Sequence, residues 1–255
     1  MFIDTHTHLF SDQFKDDVDQ VIEKALGLGV EKFYLPNIDL ASINRMYEIS
    51  DRYPENCFPM MGLHPCSVKE DYQEVLPKLK AELDSGRSFS AVGEIGLDYH
   101  WDLTFKEQQK EALRIQIEWA KEKKIPIVLH TRNSFDDTLE IVQELNDENL
   151  SGIFHCFTGT VEEAEKVFEL ENFYLGIGGV ITFKNSGVDK IVAQLPIEKL
   201  LLETDSPYLA PTPFRGKRNE STYIPNIAQK VADTMNLTLE QVAKHTSDNA
   251  KKIFG

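Results

Sequence analysis

Cysteine is scarce in this chain. Three cysteines in 255 residues, Cys57, Cys66 and Cys156, form an odd set without a metal-type pair. That argues against a disulfide framework or a thiolate metal knuckle and for reduced cytosolic thiols. No run approaches the ~18 apolar residues of a spanning helix, and the first residues show no basic stretch leading into an apolar core. A cytoplasmic protein with no membrane association is expected. Positive charge is short too: 27 Lys and Arg against 42 Asp and Glu give a formal net charge of −15. A protein that coats nucleic acid electrostatically does not have this balance. A nucleic-acid substrate stays open, because bound divalent ions reverse the charge locally. No glycine-rich phosphate loop follows the first apolar run, which argues against an open doubly wound sheet. No serine nucleophile flanked by glycines is present either.

What the chain does have is alternation. Short runs rich in Val, Ile and Leu predict buried parallel strands near 2–6, 32–36, 57–63, 90–95, 126–130, 152–156, 173–177 and 199–204. Helical patterns lie between them. Residues 14–26 carry Val18, Val21, Ile22, Ala25 and Leu26 at three- and four-residue spacing, closed by Gly27 and Gly29. Residues 105–123 place Leu113, Ile117 and Ala120 on one stripe, and shorter helices fall at 138–142 and 161–168. The segment 224–254 predicts two helices parted at Asn236, with Thr238 as a cap and Gln241 three residues on. Eight strand–helix units without a linker or a composition shift predict one α/β domain over residues 1–255, a closed (β/α)8 TIM barrel.

Six metal-binding side chains stand where these runs stop: His6 and His8, Glu94, His130, His155 and Asp205. In a strand, side chains two apart share a face, so His6 and His8 can grip one ion. Singly, each of the six has an ordinary structural role open to it. On strand ends that converge at one barrel mouth, they form a divalent-metal site of imidazole and carboxylate, suited to magnesium, manganese or zinc. One ion is expected on His6, His8, Asp205 and Glu94, and a second on Glu94, His130 and His155. Two close ions acidify a water held between them and clamp the oxygens of a displacement. Glu94 bridges, and Asp205 accepts the nucleophile's proton.

Other groups suit an anionic substrate. His64, before Pro65, can touch a phosphate oxygen or protonate a leaving group. Arg132 lies two residues past His130, and Arg215, Lys217 and Asn219 lie in a basic loop after the last strand, where barrels frequently hold phosphate. Tyr99 and Trp101 can stack a base, although rim packing explains them equally well. Cys66 and Cys156 are expected near the mouth as inert small hydrophobes.

Phe2-Ile-Asp-Thr-His6-Thr-His8-Leu, Gly62-Leu-His64-Pro, Val92-Gly-Glu94-Ile-Gly-Leu-Asp98-Tyr, Leu129-His130-Thr-Arg132, His155-Cys-Phe-Thr-Gly159, Glu203-Thr-Asp205-Ser-Pro and Arg215-Gly-Lys-Arg-Asn219-Glu occur in that order. Together they resemble the TatD family of amidohydrolase-like proteins, from residue 2 to the last helix. The resemblance implies a (β/α)8 barrel, a two-metal site on the six residues above, and deoxyribonuclease activity, often as an exonuclease on DNA or RNA ends. Glu94 stands where some amidohydrolases have a carboxylated lysine, which favours the TatD branch. A few members resemble deacylases that hydrolyse the ester of D-aminoacyl-tRNA, for which the same water would attack a carbonyl. A non-catalytic metal-binding scaffold is the third reading, and a poor one, since structural metal sites are usually closed. No obligate protein partner is evident.

Overall fold

Each of the eight apolar runs pairs in parallel with its neighbour in the chain. The computed structural model describes residues Met1 to Gly255. β1 (Phe2–Asp4), β2 (Val30–Leu35) and β3 (Cys57–Pro59) form one sheet. β4 (Val92–Asp98), β5 (Ile127–Arg132), β6 (Gly152–Phe154), β7 (Phe173–Ile177) and β8 (Leu200–Leu202) form a second. Two seams join the sheets into a ring. Met61, past β3, bridges Val92, and Gly93 N donates to Met61 O at 3.1 Å. Thr7, past β1, bridges Ser206, past β8; His8 N donates to Ser206 O at 2.8 Å and Asp205 N to His6 O at 2.9 Å. The fold is a (β/α)8 barrel, and the segments that close its second seam carry three of the expected site residues.

Helices cover the outside: α1 (Val18–Gly27), α2 (Ile43–Arg52), α3 (Tyr72–Leu83), α4 (Lys106–Lys123), α5 (Phe135–Leu145), α6 (Val161–Phe168), α7 (Val188–Val192) and α8 (Ile224–Met235). A ninth, α9 (Leu239–Phe254), begins with the Thr238–Gln241 capping box read from the sequence, after Asn236 has ended α8 in the left-handed region. No helix is long and apolar enough to cross a membrane.

Inside the ring lies a small apolar layer with a contribution from each strand or its edge: Ile3, Tyr34, Met60, Ala91, Val128, Ile153, Tyr174 and Leu201. α9 adds Ala250 and Ile253 beneath it, and Phe254 stacks on Tyr34 with ring centres 3.9 Å apart. Side chains repeat a face every second residue in a strand. The positions two residues beyond Val128, Ile153 and Leu201 are therefore also inward, one layer higher. They are His130, His155 and Glu203. The apolar layer is the floor of a polar one.

Candidate metal centre and its mouth

The structure brings all six expected groups together. His6 and His8 stand on the extension of β1, Glu94 on β4, His130 on β5, His155 just past β6 and Asp205 just past β8. His6, His8, Glu94 and His155 are buried. Glu94 is the centre of the arrangement. Its Oε2 lies 3.2 Å from His6 Nε2 and 3.5 Å from His8 Nε2. Its Oε1 lies 2.8 Å from His130 Nδ1, 3.0 Å from His155 Nε2 and 3.3 Å from His64 Nε2. Asp205 Oδ1 completes the first group, 3.8 Å from His6 Nε2 and 3.5 Å from His8 Nε2. One carboxylate thus turns each oxygen to a different set of imidazoles.

These spacings can be tested against a metal. Ligand atoms ~2.0–2.2 Å from a shared ion stand about 3.3–3.6 Å from one another in a tetrahedron. The His6–His8 nitrogen pair at 3.3 Å and the His8–Asp205 pair at 3.5 Å match that spacing. Neutral imidazole nitrogens and ionised carboxylate oxygens are also the right donors for zinc or manganese. The residues fit a divalent ion at the His6, His8 and Asp205 position, and Glu94 offers a link to a second position beside His130 and His155.

Two further carboxylates support the imidazoles, and sequence reading assigned neither of them. Asp98 Oδ2 faces His130 Nε2 at 2.9 Å, while Asp98 Oδ1 accepts from His100 N at 2.9 Å. Glu203 Oε1 faces His155 Nδ1 at 3.4 Å and accepts from Cys156 N at 2.5 Å. A Cβ on Gly176 would come 2.1 Å from Glu203 Oε2, so glycine makes the room for this buried carboxylate. Such carboxylate–imidazole contacts fix which ring nitrogen carries the proton and keep the other available as a ligand. Asp4 sews the two ends of the seam from below. Its Oδ1 accepts from Thr204 N at 3.0 Å and its Oδ2 from Thr204 Oγ1 at 2.7 Å, and burial pushes its carboxyl up to about 7.

The electrostatics are those of a cation trap. Burial pulls His6 and His64 below the ordinary imidazole value. Burial also opposes protonation of His8, but Asp205 and Glu94 outweigh it and hold that imidazole up at about 9. Against the same penalty, Asp98 and Glu94 raise His130, and Glu94 and Glu203 raise His155 well above its usual value. Burial works against ionised Glu94 and Asp205 too, yet the surrounding imidazoles draw both below the usual carboxylate range. The strained backbone gathers here as well. Of six non-glycine residues with positive φ, Asn133, Cys156, Asp205 and Leu209 sit in loops around this mouth.

Above the cluster opens a cavity of about 670 Å³, lined among others by His64, Asp98, Trp101, Arg132, Cys156 and Tyr208. His64 and Arg132 therefore lie where the sequence put them. His64 Nδ1 accepts from Cys66 N at 3.1 Å, which leaves the proton of the neutral ring on Nε2, facing Glu94 and His130. The last-loop basic cluster does not reach the cavity. Arg215 is exposed, its guanidinium 3.7 Å from the centre of the Phe183 ring, and Lys217 is exposed beyond it. Arg218 pairs through two nitrogens with Asp17 at 2.8 and 2.7 Å. Asn219 requires correction as a substrate contact. It is fully buried, its Nδ2 donates to Thr204 O at 2.7 Å and Tyr208 O at 2.6 Å, and its Oδ1 accepts from Glu220 N at 2.9 Å. Both its N–H donors are spent and it is closed off from the cavity, and it clamps the loop that carries Asp205. Tyr99 turns aside and donates to Asp137 Oδ2 at 2.8 Å. Cys66 and Cys156 line the cavity with thiols pushed up, Cys66 to about 12, by burial and neighbouring carboxylates, as expected of inert groups.

Comparison with known proteins agrees with this architecture. The family model described as TatD related DNase matches residues 3–255. The chain is 41% identical to an uncharacterized metal-dependent hydrolase, YabD, of Bacillus subtilis (strain 168), covering 100% of this chain and 99% of that protein. It is 31% identical to the 3'-5' ssDNA/RNA exonuclease TatD of Citrobacter rodentium, over 99% of this chain and 97% of that one. The crystal structure of YJJV, a TatD homolog from Escherichia coli K12, superposes with a TM-score of 0.93 at 27% identity, covering 99% and 97% of the two chains. A barrel whose strand ends converge on Glu94, matched by relatives along its whole length, is thus placed: the chain belongs to the TatD family of metal-dependent hydrolases.

Proposed function

We propose that this hydrolase, one domain over residues 1–255, is a two-metal phosphodiesterase that removes nucleotides from the ends of single-stranded DNA, and of RNA by the same chemistry. The observation that carries the reading is Glu94, whose two oxygens face two different sets of imidazoles, 3.2 Å from His6 on one side and 2.8 Å from His130 on the other. His6, His8, Asp205 and Glu94 would hold one divalent ion, and Glu94, His130 and His155 the other. When bound, such ions supply positive charge to phosphoryl oxygens and acidify water. Asp205 stays ionised and lines the cavity, so it accepts the proton of the attacking water. His64 carries its proton on Nε2 at the cavity wall, and donates it as a hydrogen bond to a phosphoryl oxygen or to the leaving group. Arg132 supplies the cationic side chain of the wall that fits a neighbouring phosphate. The Citrobacter relative's name supports attack from the 3' end. Three free thiols suit a reducing cytoplasm.

The test is hydrolysis of end-labelled single-stranded DNA by chelator-stripped protein, with magnesium, manganese or zinc restored in turn. Stepwise shortening that returns with metal and is absent from His155→Ala, folded by circular dichroism, is the expected result. No shortening with any metal, from protein shown to bind two ions, overturns the nuclease and turns the search to ester hydrolysis on charged tRNA.

A further inference from the structure

Six large apolar side chains are exposed on this protein, and four of them, Trp101, Leu103, Tyr208 and Leu209, lie on two loops beside the mouth. Trp101, Tyr208 and Leu209 line the cavity itself. Trp101 is 72% exposed, so packing within the chain does not account for it. Its indole is met edge-on by His100, with ring centres 4.8 Å apart, and the Arg132 guanidinium stands 5.1 Å from the indole centre. Arg132 makes no ion pair with a carboxylate, in a chain of formal net charge −15. The guanidinium lies over one face of the indole, and the rest of this largely exposed ring, beside a cation with no carboxylate partner, matches a nucleotide: a flat base and the phosphate attached to it.

We propose that Trp101 is the stacking platform for one unpaired base, and that Arg132 anchors the phosphate next to it. The inference rests on the phosphodiesterase reading above and adds how the substrate is selected. A base within a duplex has both faces covered by its neighbours, whereas a base at a free single-stranded end can lie on the indole. Tyr99, the other aromatic of this loop, is held by Asp137 and Lys106 and takes no part.

The protein carries its own reporter, because its other tryptophan, Trp119 on α4, is 8% exposed. Metal-loaded full-length protein would be mixed with two single-stranded DNAs of equal length, one with natural bases and one with abasic nucleotides at its end. Stacking predicts quenched emission from Trp101 with the natural strand and little with the abasic one. It predicts a KM about 5- to 150-fold higher for the abasic strand. Trp101→Ala should raise KM for the natural strand by a similar factor, with a smaller change in kcat, and add nothing on the abasic strand. Trp101→Phe should recover most of the loss. Equal quenching and equal cleavage of both strands would overturn the platform while leaving the phosphodiesterase standing. Failure to cleave either strand with any metal would overturn the phosphodiesterase, and the platform with it.

Discussion

Asp98→Asn isolates one oxygen atom's contribution to the metal centre. In the native protein Asp98 Oδ1 accepts from His100 N, so the residue cannot turn over freely, and Oδ2 faces His130 Nε2 at 2.9 Å. An asparagine of the same shape would keep its carbonyl on His100 N and present an NH2 to His130 Nε2. Two donors then meet, unless His130 moves its proton to Nδ1. That nitrogen is the one directed at Glu94 Oε1, and a proton there removes the lone pair a metal needs. A charge-assisted contact of this kind contributes about 1.5–3 kcal/mol. That corresponds to roughly 10- to 150-fold in an equilibrium constant, in line with the ~10–100-fold losses typical when a ligand's supporting carboxylate is changed. The assay is competitive titration of chelator-stripped protein with zinc or manganese. Expected is one site weakened by this factor and one unchanged, because His6, His8 and Asp205 do not touch Asp98. Unchanged affinity, or equal loss at both sites, would refute the argument.

Two further predictions concern protons and backbone. His8 is held at about 9, above its unfolded value of about 6.5, so in metal-free protein its stabilisation is complete below pH 6.5 and is lost as pH rises through 9. The full effect is on the order of 3 kcal/mol, and raised His130 and His155 act in the same direction. Chelator-treated protein should therefore melt lower at pH 9 than at pH 6, and should release protons on taking up metal, which calorimetry in two buffers of different ionisation enthalpy would detect. A flat melting profile without proton release would show that these imidazoles are not held charged. Gly96→Ala should disrupt the second position, because a Cβ there would lie 2.0 Å from the His130 carbonyl oxygen at a φ of 140. A variant with wild-type melting and two intact metal sites would contradict the close approach of β4 and β5.

Much of this protein was legible from its sequence because the site residues lie at the ends of short apolar runs. His130 and His155 terminate runs whose alternation also fixes Val128 and Ile153 in the floor, so face and height could both be read. Asp98 was missed for a local reason. Gly96 looks like a strand terminator, yet here it lets the strand pass close to its neighbour, and Glu94, Gly96 and Asp98 share one face through Asp98. Glu203 was overshadowed by Asp205 two residues on, although the same alternation from Leu201 points it inward. α3 carries Pro77 inside it, which interrupts the helical pattern. In the basic loop, charge alone does not show partners. Arg218 is tied to Asp17, on the other side of the sequence, and the burial of Asn219 depends on a fold that local composition does not encode.

The seam between the first and last strands has a consequence for how the protein is made. His6 and His8 are synthesised before Asp205, which faces them, and before α9, which floors the ring. While the intervening strands are made, the nascent chain carries a pair of imidazoles without the partner that would hold an ion between them. Until β8 arrives, β1 is an open apolar edge of the kind that pairs with other chains. A product cut short before residue 205 would keep that edge and lack Asp205 opposite His6 and His8.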